Sequence, residues 1–111
     1  MSKLLESKQM LSIGEQIRKL RKDQGLPLRK VAAELDIDQS ILSKIERGER
    51  KASKQQIIQI AIIFKADKKE LLINYLSDRV LYDLKDEDLA VEALKVAEEK
   101  IKYVTKNQNG K

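Results

Sequence analysis

The sequence predicts an all-α protein. Only one of its 111 residues is proline and four are glycine, so few positions interrupt regular structure. Apolar residues recur three and four positions apart over most of the chain, which is the period of a helix. Ser12 is followed three residues later by Glu15, and Ser53 by Gln56, the pattern of a capping box at a helix start. We therefore expect helices joined by short turns.

Two helices are predicted before residue 36. The first begins after Ser12 and ends at Gly25, since glycine tolerates the left-handed conformation that closes many helices. Pro27 opens the second helix, where its missing N–H costs little. We expect an apolar face made by Ile13, Ile17, Leu20, Val31, Ala32 and Leu35, with Arg18, Lys19, Arg21 and Lys22 facing solvent.

A tight turn leads into a third helix, predicted over residues 39–47. Asp36 is expected in the left-handed conformation, Asp38 is a good N-cap, and Gly48 ends the helix. The apolar residues around this turn are expected to share one core: Val31, Ala32, Leu35, Ile37, Leu42 and Ile45. The polar residues left in solvent are Gln39, Ser40, Ser43, Lys44 and Arg47.

Two more helices follow a basic loop that holds Arg50 and Lys51. Ser53 begins a helix that is apolar on nearly all sides, through Ile57, Ile58, Ile60, Ala61 and Phe64. Asp67 with Glu70 begins a short fifth helix that carries Leu71, Leu72, Tyr75 and Leu76. Residues 79–84, RVLYDL, include the β-branched Val80 and the aromatic Tyr82, so we expect a strand or an extended arm there.

A long helix is predicted over residues 87–104, capped by Asp86. Its apolar residues Ala90, Leu94, Ala97, Ile101 and Val104 step four, three, four and three, the seam spacing of a packed helix pair. A dimer seam is the favoured interpretation, and folding of this helix back onto its own domain is the alternative. The predicted organisation is an N-terminal extension (1–11), a helical domain (12–76), and a C-terminal arm with a dimerisation helix (77–111).

The composition argues against an enzyme. Cysteine and histidine are both absent, which removes disulfides, thiolate chemistry, zinc sites and histidine acid–base catalysis, so no cofactor or metal is expected. Glu87, Asp88, Glu98 and Glu99 lie on a helix face among lysines, and the chain contains no glycine-rich phosphate loop. The N-terminus lacks a secretory signal and no apolar run approaches a membrane span, so a cytoplasmic protein is expected.

The charge distribution points to one region. Residues 12–76 hold 14 Lys and Arg against 9 Asp and Glu, while residues 77–111 hold 7 against 8. A basic excess supports contact with phosphates. A short helix whose free face carries an amide, hydroxyls and cations also suits the major groove of DNA, where base edges present donors and acceptors.

Residues 13–71, IGEQIRKLRKDQGLPLRKVAAELDIDQSILSKIERGERKASKQQIIQIAIIFKADKKEL, resemble the phage-repressor-like helix-turn-helix family, also called the XRE family. The most specific part is QSILSKIERG together with the Arg50 loop and the IIQIAIIF helix. The resemblance implies a five-helix, lambda-repressor-like domain. It implies that the third helix enters the major groove of double-stranded DNA, usually as a homodimer on an inverted-repeat operator.

The resemblance also implies residue roles. Gln39, Ser40 and Lys44 fall on positions that contact base edges, and Ser43 is a further candidate. Arg47, Arg50 and Lys51 fall near the phosphate backbone. Glu46 matches a glutamate that supports the structure in this family.

Three positions depart from the family pattern. Pro27 and Leu28 replace the usual Thr-Gln, so the phosphate contact of that glutamine is lost and Arg29 is the candidate to replace it. Asp36 stands where glycine is usual, and Ala52 where proline is usual. The sequence predicts a DNA-binding transcriptional regulator. A DNA-binding antitoxin or adaptor, whose C-terminal helix captures another protein, is the alternative.

Overall fold

The computed structural model describes residues 10–109, and this part of the chain is all-α, as the sequence predicts. It contains six helices: α1 (Ile13–Asp23), α2 (Leu28–Glu34), α3 (Gln39–Glu46), α4 (Lys54–Phe64), α5 (Lys68–Leu84) and α6 (Ala90–Asn109). Residues 1–9 of the predicted N-terminal extension lie outside the described residues. None of the described helices combines the length and hydropathy that crossing a membrane requires.

Two capping boxes begin α1 and α4, as predicted. The Glu15 amide donates to the Ser12 hydroxyl at 3.1 Å, and the Ser12 amide donates to the Glu15 carboxylate at 3.0 Å. Ser53 and Gln56 repeat the pattern, at 3.1 and 2.8 Å. The hydrogen bonds from the Ser12 backbone and side chain hold the pKa of Glu15 below its ordinary value.

The first four helices all end in a left-handed residue. These residues are Gly25 (φ 66°), Asp36 (φ 57°), Gly48 (φ 77°) and Lys65 (φ 54°). At each end two backbone amides donate hydrogen bonds to carbonyls of the last turn, which is the pattern of a Schellman motif. The prediction for Asp36 is confirmed, and Lys65 is a second side-chain-bearing residue in a conformation that favours glycine.

The buried core lies between residues 17 and 71. Its apolar members are Ile17, Val31, Ala32, Leu35, Leu42, Ile45, Ala52, Ile57, Ile60, Ala61, Phe64 and Leu71. The core predicted around the α2–α3 turn is confirmed, with Ile37 partly buried. In α4, Ile58 is only half-buried and Ile62 is 71% exposed, so this helix has a solvent face that the prediction missed.

The predicted strand or extended arm at 79–84 is wrong, and so is the short fifth helix, because α5 runs unbroken from Lys68 to Leu84. Its sequence contains neither glycine nor proline to end it. A hydrogen bond also holds Asp78 in this helix against α1, since its carboxylate accepts from the Ile13 amide at 2.7 Å. Val80 and Tyr82 each cost a helix only a few tenths of a kcal/mol, about 0.5, so the continuing helix prevails.

The C-terminal helix begins and ends later than predicted. It spans Ala90–Asn109 rather than 87–104, and residues 85–89 are not helical, so Asp86 does not cap it. The acidic run Asp86-Glu87-Asp88 offers several competing cap positions, among which apolar spacing does not choose. The chain divides between Arg79 and Val80 into two compact units. The functional division predicted after residue 76 stays a prediction.

Candidate nucleic-acid interface

Helix α3 crosses α1 at position 14 of α1, where only glycine fits. A Cβ built on Gly14 would collide with the backbone oxygen of Ile45 and would lie 2.8 Å from that of Glu46. Both obstacles are backbone atoms, which cannot swing away as a side chain tip would. Gly14 therefore allows the first turn of α1 to touch the last turn of α3, and sequence spacing alone gave no signal of this contact.

A partly buried ion pair makes the second link between these helices. Arg21 of α1 donates from Nε and Nη2 to the two Glu46 carboxylate oxygens of α3, at 2.8 and 3.0 Å. Its Nη1 donates to the Leu26 carbonyl at 3.0 Å. The Glu46 side chain is 4% exposed, and its hydrogen bonds raise the pKa of Arg21. The predicted solvent position of Arg21 is thus wrong, because the buried carboxylate requires a partner.

The outer face of α3 presents the predicted base-contacting residues. Gln39, Ser40 and Lys44 are exposed and Ser43 is half-buried, while Leu42 and Ile45 are buried on the opposite side. Positions 39 and 43, like 40 and 44, are one helical turn apart, so the four side chains share one face. Asp38 is the N-cap residue, but its side chain makes no capping hydrogen bond.

Arg47 at the end of α3 is engaged by the protein itself. Its Nε donates to Glu49 Oε2 at 2.7 Å, and its Nη1 donates to the Ser43 hydroxyl at 3.0 Å. The Arg47 and Glu49 side chains are 50% and 55% exposed. Arg47 and Ser43, both predicted to contact DNA, are therefore hydrogen-bonded to each other. Glu49 was not singled out from the sequence, where it appears as one acidic residue among cations.

The remaining predicted phosphate contacts are exposed. Arg29 lies in the first turn of α2, and Arg50 and Lys51 lie in the loop between α3 and α4. Together with Lys44 and Arg47, these residues put five cations on α3 and the segments next to it in the chain. Such a concentration of positive charge attracts a polyanion. No group of His, Cys, Asp and Glu among the described residues is arranged to hold a metal ion.

The predicted seam residues lie along α6. Ala90 is half-buried, and Leu94, Ala97, Ile101 and Val104 are exposed. No α6 residue within 90–108 is buried. Val96 and Tyr103, which the seam does not include, are 54% and 67% exposed and lie seven residues apart. The second compact unit therefore offers more apolar surface than a single seam accounts for.

Comparison with known proteins agrees with this geometry. Residues 17–71 match the helix-turn-helix family HTH_3. This matched segment is a helix-turn-helix domain of the HTH_3 family. The match includes α2, α3 and the turn between them, so the predicted resemblance is confirmed. Helix-turn-helix proteins place the second helix of this motif in the major groove of DNA.

Two solved structures of one regulator share the fold. The clp gene regulator ClgR from Corynebacterium glutamicum is 26% identical with a TM-score of 0.52, over 60% of this chain and 86% of that one. A second ClgR structure matches 89% of this chain and 92% of that one, at 22% identity and a TM-score of 0.52. An HTH_3 family transcriptional regulator from Vibrio cholerae is 31% identical over 56% of this chain and 35% of that one, with a TM-score of 0.49. No curated protein sequence matches significantly.

Proposed function

We propose that the protein is a non-enzymatic transcriptional regulator that binds double-stranded DNA sequence-specifically, as a homodimer on an inverted-repeat operator. The observation that carries the proposal is the exposed polar face of α3, set on a helix whose other side is buried against α1 and α2. The membership of residues 17–71 in the HTH_3 family supports the DNA-binding role. The ClgR structure that is 26% identical is named a gene regulator, which supports a role in transcription.

We assign two kinds of DNA contact. Gln39, Ser40, Ser43 and Lys44 contact base edges, since an amide, hydroxyls and an ammonium can pair with major-groove donors and acceptors. Arg29, Arg47, Arg50 and Lys51 contact phosphates, which fixes the position of α3 but carries no sequence information. Gly14 and the Arg21–Glu46 pair support this assignment, because both fix α3 against α1 with its polar face in solvent.

We assign dimerisation to α6. The residues Ala90, Leu94, Ala97, Ile101 and Val104 follow the spacing of a helix-pair seam. None of them is buried in the single chain, so their apolar surface is available to a second copy. Two-fold pairing of two domains accounts for an inverted-repeat operator.

The test is selection of bound sequences from a pool of random duplexes with the full chain. We expect the enriched sequences to be inverted repeats with half-sites about one helical turn apart. Contact with about six phosphates predicts a slope of log K against log salt near −5, at roughly −0.9 for each phosphate. A pool without enrichment, or binding that salt does not change, would contradict the proposal.

A second candidate function is that of a DNA-binding antitoxin or adaptor whose C-terminal helix captures another protein. The apolar stripe of Val96 and Tyr103, outside the seam, favours it. The mass of the purified chain in solution separates the two functions. A stable homodimer supports the simple regulator, whereas a monomer supports capture of a partner by α6.

A further inference from the structure

Three side chains at the C-terminal end of α3 form a cluster that we call the Arg47 clamp: Ser43, Arg47 and Glu49. The guanidinium donates to the Glu49 carboxylate at 2.7 Å from Nε and 3.4 Å from Nη2, and to the Ser43 hydroxyl at 3.0 Å from Nη1. Arginine has five N–H groups. Three are used within the clamp, so two remain for an external acceptor.

The backbone sets the position of Glu49 in the clamp. Gly48 adopts φ 77°, which turns the chain back at the end of α3. The Glu49 amide then donates to the Lys44 carbonyl at 2.8 Å, which is the hydrogen bond of a Schellman motif that spans the most residues. The carboxylate is therefore carried by an ordered turn next to Arg47, and both side chains remain half exposed to solvent.

A carboxylate and a phosphate compete for the same guanidinium N–H groups, because both accept charge-assisted hydrogen bonds. On DNA of unrelated sequence, where α3 is not aligned with an operator, a phosphate must separate the Arg47 guanidinium from Glu49. In doing so the phosphate must also approach the negative charge of the Glu49 carboxylate. Where α3 lies in register, the guanidinium is already oriented and offers its two remaining N–H groups without losing further side-chain freedom. Phosphate contacts supply essentially all the affinity for DNA of unrelated sequence, so the competition falls mainly on that kind of binding.

We propose that Glu49 is a positioning residue for specificity, which acts through Arg47 by weakening binding to unrelated DNA more than binding to the operator. The inference rests on the proposed function, because it assumes that α3 and its flanks contact duplex DNA. Glu49 would then oppose DNA binding, whereas the residues assigned above promote it. This role explains why an acidic side chain lies among Lys44, Arg50 and Lys51.

The test compares the full chain with Glu49→Gln on two probes. One probe is the duplex most enriched from the random pool, and the other is a scrambled duplex of the same composition. Glu49→Gln should bind the scrambled duplex about two- to fivefold more tightly per half-site, the range set by the strength of an exposed ion pair. Its salt slope on that duplex should steepen by about 0.9 per protomer. Binding to the enriched duplex should change less, so discrimination falls.

Two control variants separate the clamp from a general charge effect. Asp23→Asn changes the net charge equally and breaks an exposed Lys19–Asp23 ion pair of 3.0 Å on α1, and it should leave both affinities within about twofold. Glu49→Asp keeps the carboxylate and should retain the discrimination of the wild type. Equal tightening by Asp23→Asn, or an unchanged scrambled-duplex affinity in Glu49→Gln, would overturn the proposal.

Nuclear magnetic resonance of the free protein tests the clamp without DNA. The Arg47 Nε–H signal should exchange slowly with solvent in the wild type and faster in Glu49→Gln. Equal exchange in both would overturn the clamp while leaving the proposed function standing. If the wild type binds neither duplex, the proposed function and this inference fail together.

Discussion

The two compact units of this chain use their apolar residues in opposite ways. In α1–α4 and the start of α5, apolar side chains are buried in one core, and helix ends are closed by capping boxes and Schellman motifs. In α6 the apolar residues are nearly as frequent, yet none within 90–108 is buried. The first unit encloses the buried core and presents polar groups on α3. The second presents apolar surface, which suits binding to another chain.

The largest expected effect concerns that division. Deleting residues 85–111 should leave a folded, monomeric domain, because every buried apolar residue of the described core lies before residue 72. Each half-site would then bind separately, with a loss of about 10²–10⁴ in operator affinity. Sedimentation of both chains, with operator titration of each, measures this. A truncated chain that stays dimeric and binds as tightly would move the dimer contact into the first unit.

Removal of Arg21 should have the next largest effect. Arg21→Met leaves the buried Glu46 carboxylate without its partner, at a cost of about 3–5 kcal/mol in the free energy of unfolding. Adding Glu46→Leu should recover most of that loss, since the double variant buries no unpaired charge. Lys19→Ala, which breaks an exposed pair of the same helix, should cost under about 1 kcal/mol. Urea unfolding of the three variants checks this order, and equal losses for Arg21→Met and Lys19→Ala would contradict the account.

Replacing Lys65 with glycine should raise the free energy of unfolding of the domain. This residue ends α4 at φ 54°, where a side chain costs roughly 1–2 kcal/mol. Lys65→Gly removes that cost but gains backbone entropy in the unfolded chain, so we expect a net gain of about 1 kcal/mol or less. Lys54→Gly, in the first turn of the same helix, is the control and should destabilise. A lower midpoint of thermal unfolding for Lys65→Gly would contradict the assigned turn.

Acid should weaken the start of α1 by the smallest amount. The folded pKa of Glu15 is lowered, so its contribution is complete above the unfolded value of about 4.3 and is lost as pH falls through the folded pKa. Glu15→Gln keeps an amide oxygen for the Ser12 amide but does not titrate. The stability difference between wild type and Glu15→Gln, measured from about pH 6 to about pH 2, should therefore shrink toward low pH. A difference that stays constant would assign no role to the Glu15 charge.

Local signals predicted the helices of the first unit well. The capping boxes at Ser12 and Ser53 and the left-handed Asp36 depend on residues close in sequence, and the structure confirms each of them. The strand or extended arm predicted at residues 79–84 is wrong, because Val80 and Tyr82 only weakly disfavour a helix that no glycine or proline ends. The side-chain bond from Asp78 to the Ile13 amide spans 65 residues, so no local pattern could show it.

The candidate site was predicted on its outer face only. Gln39, Ser40 and Lys44 follow from helical spacing and are exposed as expected. The contacts that hold α3 were missed, because Gly14 and Arg21 lie on α1 and act across the fold. Glu49 was missed for another reason, since its pairing with Arg47 depends on the turn at Gly48. The exposed residues of α3 were thus easier to predict than the residues that hold this helix in place or pair with Arg47.

The pattern of base specificity tests the central claim most directly, namely that α3 binds the major groove and reads its sequence. The measurement is selection from the random duplex pool with wild type, Lys44→Ala and Arg50→Ala in parallel. Lys44→Ala should relax the preference at one or two base pairs in each half-site, a loss of about 1–3 kcal/mol if its contact is bidentate. Arg50→Ala should weaken binding to all sequences alike and leave the preference unchanged. If Lys44→Ala keeps the full preference and only weakens binding, α3 does not read bases and the account is wrong.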